Sequence, residues 1–520
     1  MTRQIFRTKP ASQLVSESEH PDRKLKRALG PWDLTAMGIG AIIGSGIFAL
    51  TGTAAAGTQS AAPSSWIDTP VFTLLMGGEM GRAGAGPAVV FSFLAAAICC
   101  AFAALCYAEF TAMVPVAGSA YTFGYASLGE LGAWIIGWDL ILEYAIGNVT
   151  IALSWGDYFV ALVGNLTGIR FPLWLVKDHI TAVDIWSHPD QLAAARLSFS
   201  SVDLPYGFAF NVPAMCIVVL VTALSVYGIR ESARVNTAVV IVKIAIVTFF
   251  IAFGAFYVNP GNWHPFAPKG ITGILGAAPI VFFAFIGFDA VSTMAEESRN
   301  PQRDMPIGMI ASLAASSVLY IFVSLVLTGM LPYKRYFDDA APVATALAYT
   351  GNRFAQALVN AGALAGMTTT LLVFQLGQPR IFMAMARDGL LPKAFSRIHP
   401  RFRTPMMPTI LTGAVVAVSA LVLDINASAA LTSIGTLFAY LVVCAGIIIL
   451  RRTDPGRPRA FRTPFVPWVP LIGIAMCLLL MLGLPVRTWI RFAGWLAAGI
   501  AIYVFYGSKH SGLRDAAPRG

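Results

Sequence analysis

Long apolar runs recur along the whole of this chain and leave few folds open to it. A helix needs about 20 mostly apolar residues to cross a bilayer, and by that rule the sequence predicts twelve spans. Charged residues make up only 12% of the chain, against about 25% in a typical soluble domain. We therefore expect an all-α polytopic membrane protein. The predicted spans are residues 34–56, 86–111, 133–163, 212–229, 233–258, 272–296, 306–331, 353–384, 406–424, 428–450, 467–485 and 488–507.

The net charge of +10 comes largely from basic residues in short loops between these spans. That distribution sets membrane topology and argues against a nucleic-acid partner. Most of the Lys and Arg residues share one side when both chain ends face the cytoplasm. We therefore expect a multi-pass protein of the plasma (inner) membrane with cytoplasmic N- and C-termini.

Cysteine and histidine, the residue types that commonly bind metals or form disulfides, are poorly placed for either role in this chain. All six cysteines lie inside apolar runs without the spacing of a ligand set, and all six histidines lie outside the spans. The cysteines are thus expected to be buried, hydrophobic side chains. We expect no metal and no cofactor.

The stretch GIGAIIGSGIFALTG, residues 38–52, places five glycines in an apolar run. Gly38, Gly40 and Gly44 superficially resemble a dinucleotide-binding fingerprint, but that motif needs a βαβ unit, which the pattern lacks. Two interpretations remain at this point. Gly40 and Gly44 are spaced for close helix packing, or the glycines mark a break in the helix.

The sixth span, GAAPIVFFAFIGFDAVSTMAEE, favours the break. It carries Pro279, Gly287 and Asp289 within an apolar run. Two interrupted spans at corresponding positions of two halves are typical of a transporter binding site. Backbone without hydrogen bonds at membrane depth is tolerated only where it lines a cavity. Half-helix N-termini then attract an anion while freed carbonyls accept from a cation, which suits a zwitterion.

An ordered series of motifs carries a family resemblance. It comprises GIGAIIGSGIFALTG, AALCYAEFTAMVPVAGSAY (103–121), WIIGWDLILEY (134–144), ESARVN (231–236), FIGFDAVSTMAEESRNPQRDMPIG (285–308) and ARDGLLP (386–392). Together they resemble the cationic amino acid transporter branch of the amino acid–polyamine–organocation superfamily. The resemblance covers roughly residues 30–465. It departs from the family at the loop 57–85, which is longer than usual.

The resemblance implies a five-plus-five inverted-repeat transporter fold with helices 1 and 6 broken at the substrate. Residues 1–33 would then be an N-terminal tail, and 34–465 the core, with repeats at about 34–258 and 272–450. Residues 466–508 would add two helices outside the repeat, and 509–520 would be a C-terminal tail.

The resemblance also implies a substrate site made largely of backbone. The amides of Ser45 and Gly46 are expected at the substrate carboxylate. The carbonyls of Ile42, Phe283 and Ile286 are expected at its α-ammonium. Ordinary packing is the alternative for the apolar members. Ile43, Gly44 and Ala284, at the same two breaks, are expected among the substrate-binding residues as well.

Lys243 lies near the middle of the fifth span, where an ionised lysine costs at least ~2.5–3.5 kcal/mol on insertion scales. From there its side chain would struggle to reach water, which weakens the snorkelling alternative. Burial penalises the charged form, so such a lysine can exchange a proton near neutral pH. In proton-coupled members that this chain resembles, a lysine here replaces a sodium ion. We predict that Lys243 is the proton-coupling group and contacts the first span near Gly40.

Other polar residues in the spans have two interpretations each. Four acids are candidates for a substrate-cation contact or a proton relay, or else for structural ion pairs and helix caps. Asn148 matches a polar substrate contact of some superfamily members. Thr370, with Thr368 and Thr369, is a candidate for the side-chain pocket, unless these hydroxyls bond to their own helix. The four acids are Glu109, Asp139, Glu143 and Asp289.

The sequence predicts a proton-coupled amino acid importer that works by alternating access, with an amino acid, a proton and the lipid bilayer as its partners. A proton-independent exchanger of cationic amino acids or polyamines is the main alternative. A membrane-embedded enzyme is remote, because the spans contain no H-E-x-x-H or G-x-S-x-G motif. A channel fits paired broken helices less well than a closed midplane site. The pattern gives neither the substrate side chain nor the oligomeric state.

Overall fold

The structure is a computed structural model that describes residues 29–512 apart from 58–64, 78–79, 115–118, 189–191, 193–195, 197–198, 228–232, 338, 340 and 403. The predicted tails 1–33 and 509–520 fall mostly outside these described residues. Within them the chain forms helices and turns, with three isolated β-bridges and no strand. This confirms the predicted all-α polytopic class.

Twelve apolar helices account for most of the described residues, and each of the twelve predicted spans overlaps one of them. Eight are long and apolar enough to cross a membrane, and four are shorter. The division into two inverted repeats stays a prediction. The helices are α1 Pro31–Ala56, α2 Gly86–Met113, α3 Glu130–Thr167, α4 Val212–Tyr227, α5 Ala233–Ala255, α6 Gly270–Phe285, α7 Pro301–Met330, α8 Arg353–Arg387, α9 Met406–Val422, α10 Ile425–Thr453, α11 Trp468–Leu482 and α12 Val486–Ile502.

Burial separates central helices from peripheral ones. In the most apolar part of α1, 89% of the residues are buried inside the protein, against 22% in the last helix. The long helices α3 and α8 pack against each other, and α1 packs against α5, α7 and α8. Because α1 is enclosed by other helices, a gap in its backbone opens towards protein rather than lipid.

The two ends of the described chain lie on one face, hereafter the terminal face, where Leu29 pairs with Ser298 just before α7 and Gly512 bonds to Asp388 just after α8. There a short helix, Ser119–Ser127, joins α2 to α3. The opposite face, hereafter the loop face, carries the two long segments predicted at 57–85 and 164–211. Residues 164–211 contain the helix His179–Ser187 and a small core of their own, made by Leu173, Ala182 and Ala209. The short helix predicted within 333–352 is present as Pro342–Tyr349.

Candidate substrate site

The first break lies in the middle of α1. Its regular part ends at Ile42, where the amide of Ile43 still donates to the carbonyl of Ile39 at 2.8 Å. Ile43 is extended, with φ −75° and ψ 94°, and the chain resumes as a π-helical turn, Gly46–Leu50. The hydroxyl of Ser45 is buried and has no hydrogen-bond partner in the part of the chain that the structure describes. The glycine-rich stretch is therefore a broken helix.

The second break lies at the end of α6. Its α-helical part ends at Phe282, a 3₁₀ turn covers Phe283–Phe285, and Ile286 is extended with φ −61° and ψ 129°. Gly287 follows at φ +124°, a backbone conformation that side-chain-bearing residues rarely adopt. A Cβ there would also lie 2.9 Å from the carbonyl carbon of Ala41. Only glycine fits, because α1 and α6 approach each other at this point.

The two breaks touch. A Cβ on Gly46 would lie 2.3 Å from the Cα of Ala284, so the backbones meet with no room for a side chain. The phenolic oxygen of Tyr320, on α7, lies 2.9 Å from both the carbonyl oxygen of Ile42 and that of Ala284. One hydroxyl therefore serves a carbonyl from each broken helix and holds the pair together.

A cavity of about 10 Å³ lies between the breaks. That volume is close to the space of a single water, so the site is too small for an amino acid in this conformation. Seven of the ten predicted substrate-binding residues line it. Ala41, Ile151 and Phe374 line it as well, although the sequence did not mark them. The predicted residues in the lining are Ile42, Gly44, Ser45, Gly46, Phe283, Ile286 and Thr370.

Lys243 lies beside this cavity, with 1% of its surface exposed. Its Nζ donates to the carbonyl oxygen of Gly40 at 2.6 Å and to the hydroxyl of Thr370 at 3.2 Å. The predicted contact with the first helix near Gly40 is therefore present. The Thr370 hydroxyl also donates to the carbonyl of Gly366 at 3.1 Å, so one lysine connects α5 to both α1 and α8.

Comparison with known proteins agrees with this arrangement. The family model described as amino acid permease matches residues 29–504. The chain belongs to the amino acid permease family. It is 42% identical to the methylthioribose transporter of Bacillus subtilis over 98% of both chains. It is also 42% identical to the branched-chain amino acid permease BcaP of Bacillus subtilis, over 98% of this chain and 99% of that one.

A plant relative supports the branch that the motifs indicated. The permease is 38% identical to the chloroplastic cationic amino acid transporter 9 of Arabidopsis thaliana, over 86% of this chain and 70% of that protein. The resemblance that the sequence carried is thus confirmed at the level of the superfamily.

Three predicted substrate contacts do not line the cavity of the permease. Ile43 and Ala284 lie within the breaks, but outside the residues that border the empty space. Asn148, on α3, turns to α8 instead, where its amide donates to the side-chain oxygen of Gln375 at 3.2 Å. Asn148 therefore connects two helices beside the site.

Glu109 belongs to an ion cluster at the terminal face. Arg451 donates to both of its carboxylate oxygens, at 2.8 and 2.9 Å. The Nε of Arg459 lies 3.1 Å from the Glu109 carboxylate, and the amide of Thr463 donates to that carboxylate at 2.7 Å. This bidentate pair, in which only the carboxylate is fully buried, joins α2 to the end of α10 and to the segment that follows it. Of the two interpretations given to Glu109, this geometry supports the structural one.

The other three acids lie together on the terminal side of the cavity. Among the described residues, neither carboxylate oxygen of Asp139 has a hydrogen-bond partner, and one oxygen of Glu143 also has none. Asp289 accepts from the hydroxyl of Tyr440 at 3.3 Å and from the amide of Gly287 at 3.2 Å. Asp289 thus braces the second break directly.

Tyr320 bonds to both broken helices, but it was not among the site residues that the sequence predicted. A tyrosine in an otherwise apolar span signals a buried hydroxyl in need of a partner. The sequence could have marked it on that ground. It could not have identified the partners, because Tyr320 is 278 residues away from Ile42.

Proposed function

We propose that this permease imports amino acids by proton-coupled alternating access. Its family makes it a membrane transporter and not an enzyme. The observation that carries the proposal is the meeting of two broken helices at a closed cavity, with Lys243 joined to one of them. Backbone breaks at membrane depth are the usual way for transporters to bind small charged solutes.

The main chain of the breaks suits the charged ends of an amino acid. The amides of Ser45 and Gly46 lie where the second half of α1 begins, so the helix dipole favours a carboxylate there. The carbonyls of Ile42 and Ala284 share the Tyr320 hydroxyl, and each has a second lone pair for an ammonium group. A zwitterion therefore meets donors for its carboxylate and acceptors for its ammonium group a few ångströms apart.

The side chains around the cavity favour a neutral, apolar substrate. Ile151, Phe283, Ile286 and Phe374 supply its walls. No acidic side chain is among the described residues that line it. A cationic side chain would lose its hydration there without a counter-charge. The branched-chain specificity in the name of the relative BcaP agrees with this assignment.

Lys243 is well placed to couple a proton to the movement of α1. With its proton in place, the ammonium group donates to the Gly40 carbonyl and to Thr370, and so ties α1 to α8 through α5. Loss of the proton weakens both bonds, because a charged donor bonds about twice as strongly as a neutral one. The state of one proton therefore biases whether α1 stays against α8.

Of the acids, we assign Glu109 to a structural role and retain Asp139, Glu143 and Asp289 as candidates for the proton route to the terminal face. We place the terminal face in the cytoplasm of a cell whose plasma (inner) membrane holds the protein. The excess of basic residues on that face supports this orientation.

Uptake into proteoliposomes tests the proposal. The purified permease is reconstituted and offered labelled leucine, isoleucine, valine, alanine, arginine and methylthioribose, each with and without an inward proton gradient. We expect saturable uptake of the apolar amino acids that rises with the gradient. Uptake of arginine alone, independent of the gradient, would instead establish the exchanger. Absence of uptake of every amino acid would refute the proposal.

A further inference from the structure

The C-terminal end of the described chain is anchored rather than free. After α12 a π-helical turn, Tyr503–Gly507, leads into Ser508–His510 and then to Ser511, which is only 3% exposed. The hydroxyl of Ser511 donates to one carboxylate oxygen of Glu130, and the Tyr503 hydroxyl donates to the other at 2.9 Å. Glu130 is itself buried and is the first residue of α3.

A second anchor lies at the terminal end of α8, in the ARDGLLP motif. The amide of Gly512 donates to the carbonyl oxygen of Asp388 at 3.0 Å. Gly389 has φ +79°, and a Cβ there would lie 2.2 Å from the carbonyl oxygen of His510. Glycine is therefore required at 389 both by its positive φ and by the close approach of the C-terminal segment.

Asp388 extends this contact to the connection between α2 and α3. Its carboxylate accepts from the hydroxyl of Tyr121 at 2.7 Å, and Tyr121 belongs to the helix Ser119–Ser127. A Cβ on Gly137 of α3 would touch both Tyr121 and Met385 of α8, so these three elements are in close contact. The segment Ser508–Gly512 thus closes a junction of α3, α8 and the α2–α3 helix.

We propose that Ser508–Gly512 is a latch that holds the terminal face of the transporter closed. The inference rests on the proposed alternating-access function, in which one group of helices rocks against another. Movement of α2 relative to α3 and α8 must displace the helix Ser119–Ser127. The latch holds Glu130, which follows that helix in the chain, and Asp388, which accepts from Tyr121 within it. Opening of the terminal face therefore requires Ser511 and Gly512 to release Glu130 and Asp388.

Hydrogen–deuterium exchange of the purified permease tests the latch without any substrate. The amides of Ser119–Ser127 report local opening at the terminal face, and those of Pro342–Tyr349 report the loop face. Ser511→Ala removes the donor to Glu130. We expect it to speed exchange in Ser119–Ser127 about two- to ten-fold, the effect of one lost hydrogen bond. Truncation after Gly507 should speed it further.

Two matched variants serve as controls. Ser508→Ala removes a hydroxyl whose one bond among the described residues is to the carbonyl of Val504, at 3.0 Å in its own helix turn. Truncation after Gly512 removes the rest of the tail and keeps the latch. Neither should change exchange in Ser119–Ser127. Unchanged exchange with Ser511→Ala would overturn the proposal, and so would an equal rise in Pro342–Tyr349, since that marks general destabilisation. Failure of uptake in the wild-type protein would refute the proposed function and leave this measurement intact.

Discussion

The hydroxyl of Tyr320 shows how single residues support a site that is made of backbone. It lies 2.9 Å from a carbonyl oxygen of each broken helix and is fully buried. A buried carbonyl without a partner costs about 1–3 kcal/mol. Tyr320 therefore stabilises the breaks in the absence of substrate and sets the distance between two groups that the substrate ammonium would contact.

Tyr320→Phe should weaken substrate binding about ten-fold, because the loss of roughly one buried hydrogen bond lets the two breaks move apart. The measurement is the KM for L-leucine uptake into proteoliposomes. Tyr336→Phe is the matched control. Tyr336 is equally buried, and its hydroxyl donates to the carbonyl of Leu327 at 2.8 Å, away from the site. It should lower thermal stability and leave KM unchanged; an equal rise of KM in both variants would contradict a specific role for Tyr320.

Two interrupted helices act as one element at the centre of the protein. The approach of Gly46 to Ala284 is a backbone contact, so a larger residue cannot be accommodated by turning a side chain. Gly52 also lies against the helix Pro342–Tyr349 on the loop face, where a Cβ would be 2.5 Å from Pro342. The second half of α1 is therefore held by α6 on one side and by a loop-face helix on the other.

Gly46→Ala should abolish uptake and lower stability by about 1–3 kcal/mol, the usual cost of forcing a methyl group into a packed interior. Its Cβ would have to displace the backbone of α6. Thermal unfolding and uptake measured on the same preparation check both effects. Gly494→Ala, in α12, is the control, since a Cβ there meets nothing within 4 Å. Normal uptake by Gly46→Ala would show that the breaks are not in contact during transport.

The segment 164–211 forms a cap on the loop face that contains a buried acid. Asp178 accepts from the amide of Thr181 at 2.9 Å and begins the helix His179–Ser187. Burial raises the pKa of Asp178 to about 7. The Asp424 carboxylate acts in the same direction, and Lys177, paired with Asp157 at 2.5 Å, opposes it.

Because its pKa is raised, folded Asp178 binds a proton that the unfolded cap, with a pKa of about 4, releases. The stability of the cap should therefore fall as pH rises from about 4 to about 7 and stay level above. Asp178→Asn keeps a side chain that can cap the helix and should remove this slope. Hydrogen exchange of His179–Ser187 across pH, corrected for intrinsic rates, measures it. The same slope in both proteins would assign the pH dependence to another group.

The parts that the sequence predicted are those with a local signature. Gly and Pro within apolar runs located both breaks, and a lysine in mid-span located the contact between α5 and α1. Contacts between distant segments left no such signature. Asn148 was expected at the substrate because it matches a polar contact of some superfamily members, and its partner in the structure, Gln375, is 227 residues away. Phe374 and Ile151 were not predicted at the site, because only the packing of α3 and α8 places them at the cavity. The bond from Ser511 to Glu130 was not predicted either.

Over the whole molecule, the site lies between the two faces. The cavity has about the volume of one water, the loop face carries the helices His179–Ser187 and Pro342–Tyr349, and the terminal face carries the helix Ser119–Ser127. Under the proposed alternating access, each face has to open in turn. Lys243 contacts α1 and α8 at the level of the cavity, so its proton would act on an element that moves in the proposed mechanism.

The most direct test of this account is uptake of L-leucine by Lys243→Ala as the external pH is lowered, with the internal pH held neutral. We predict that the wild-type protein accumulates leucine more strongly at acid pH, and that Lys243→Ala loses this dependence while still exchanging leucine across the membrane. Lys393→Ala, which removes an exposed lysine on the terminal face, should behave as the wild type. An unchanged pH dependence in Lys243→Ala would contradict proton coupling through this lysine.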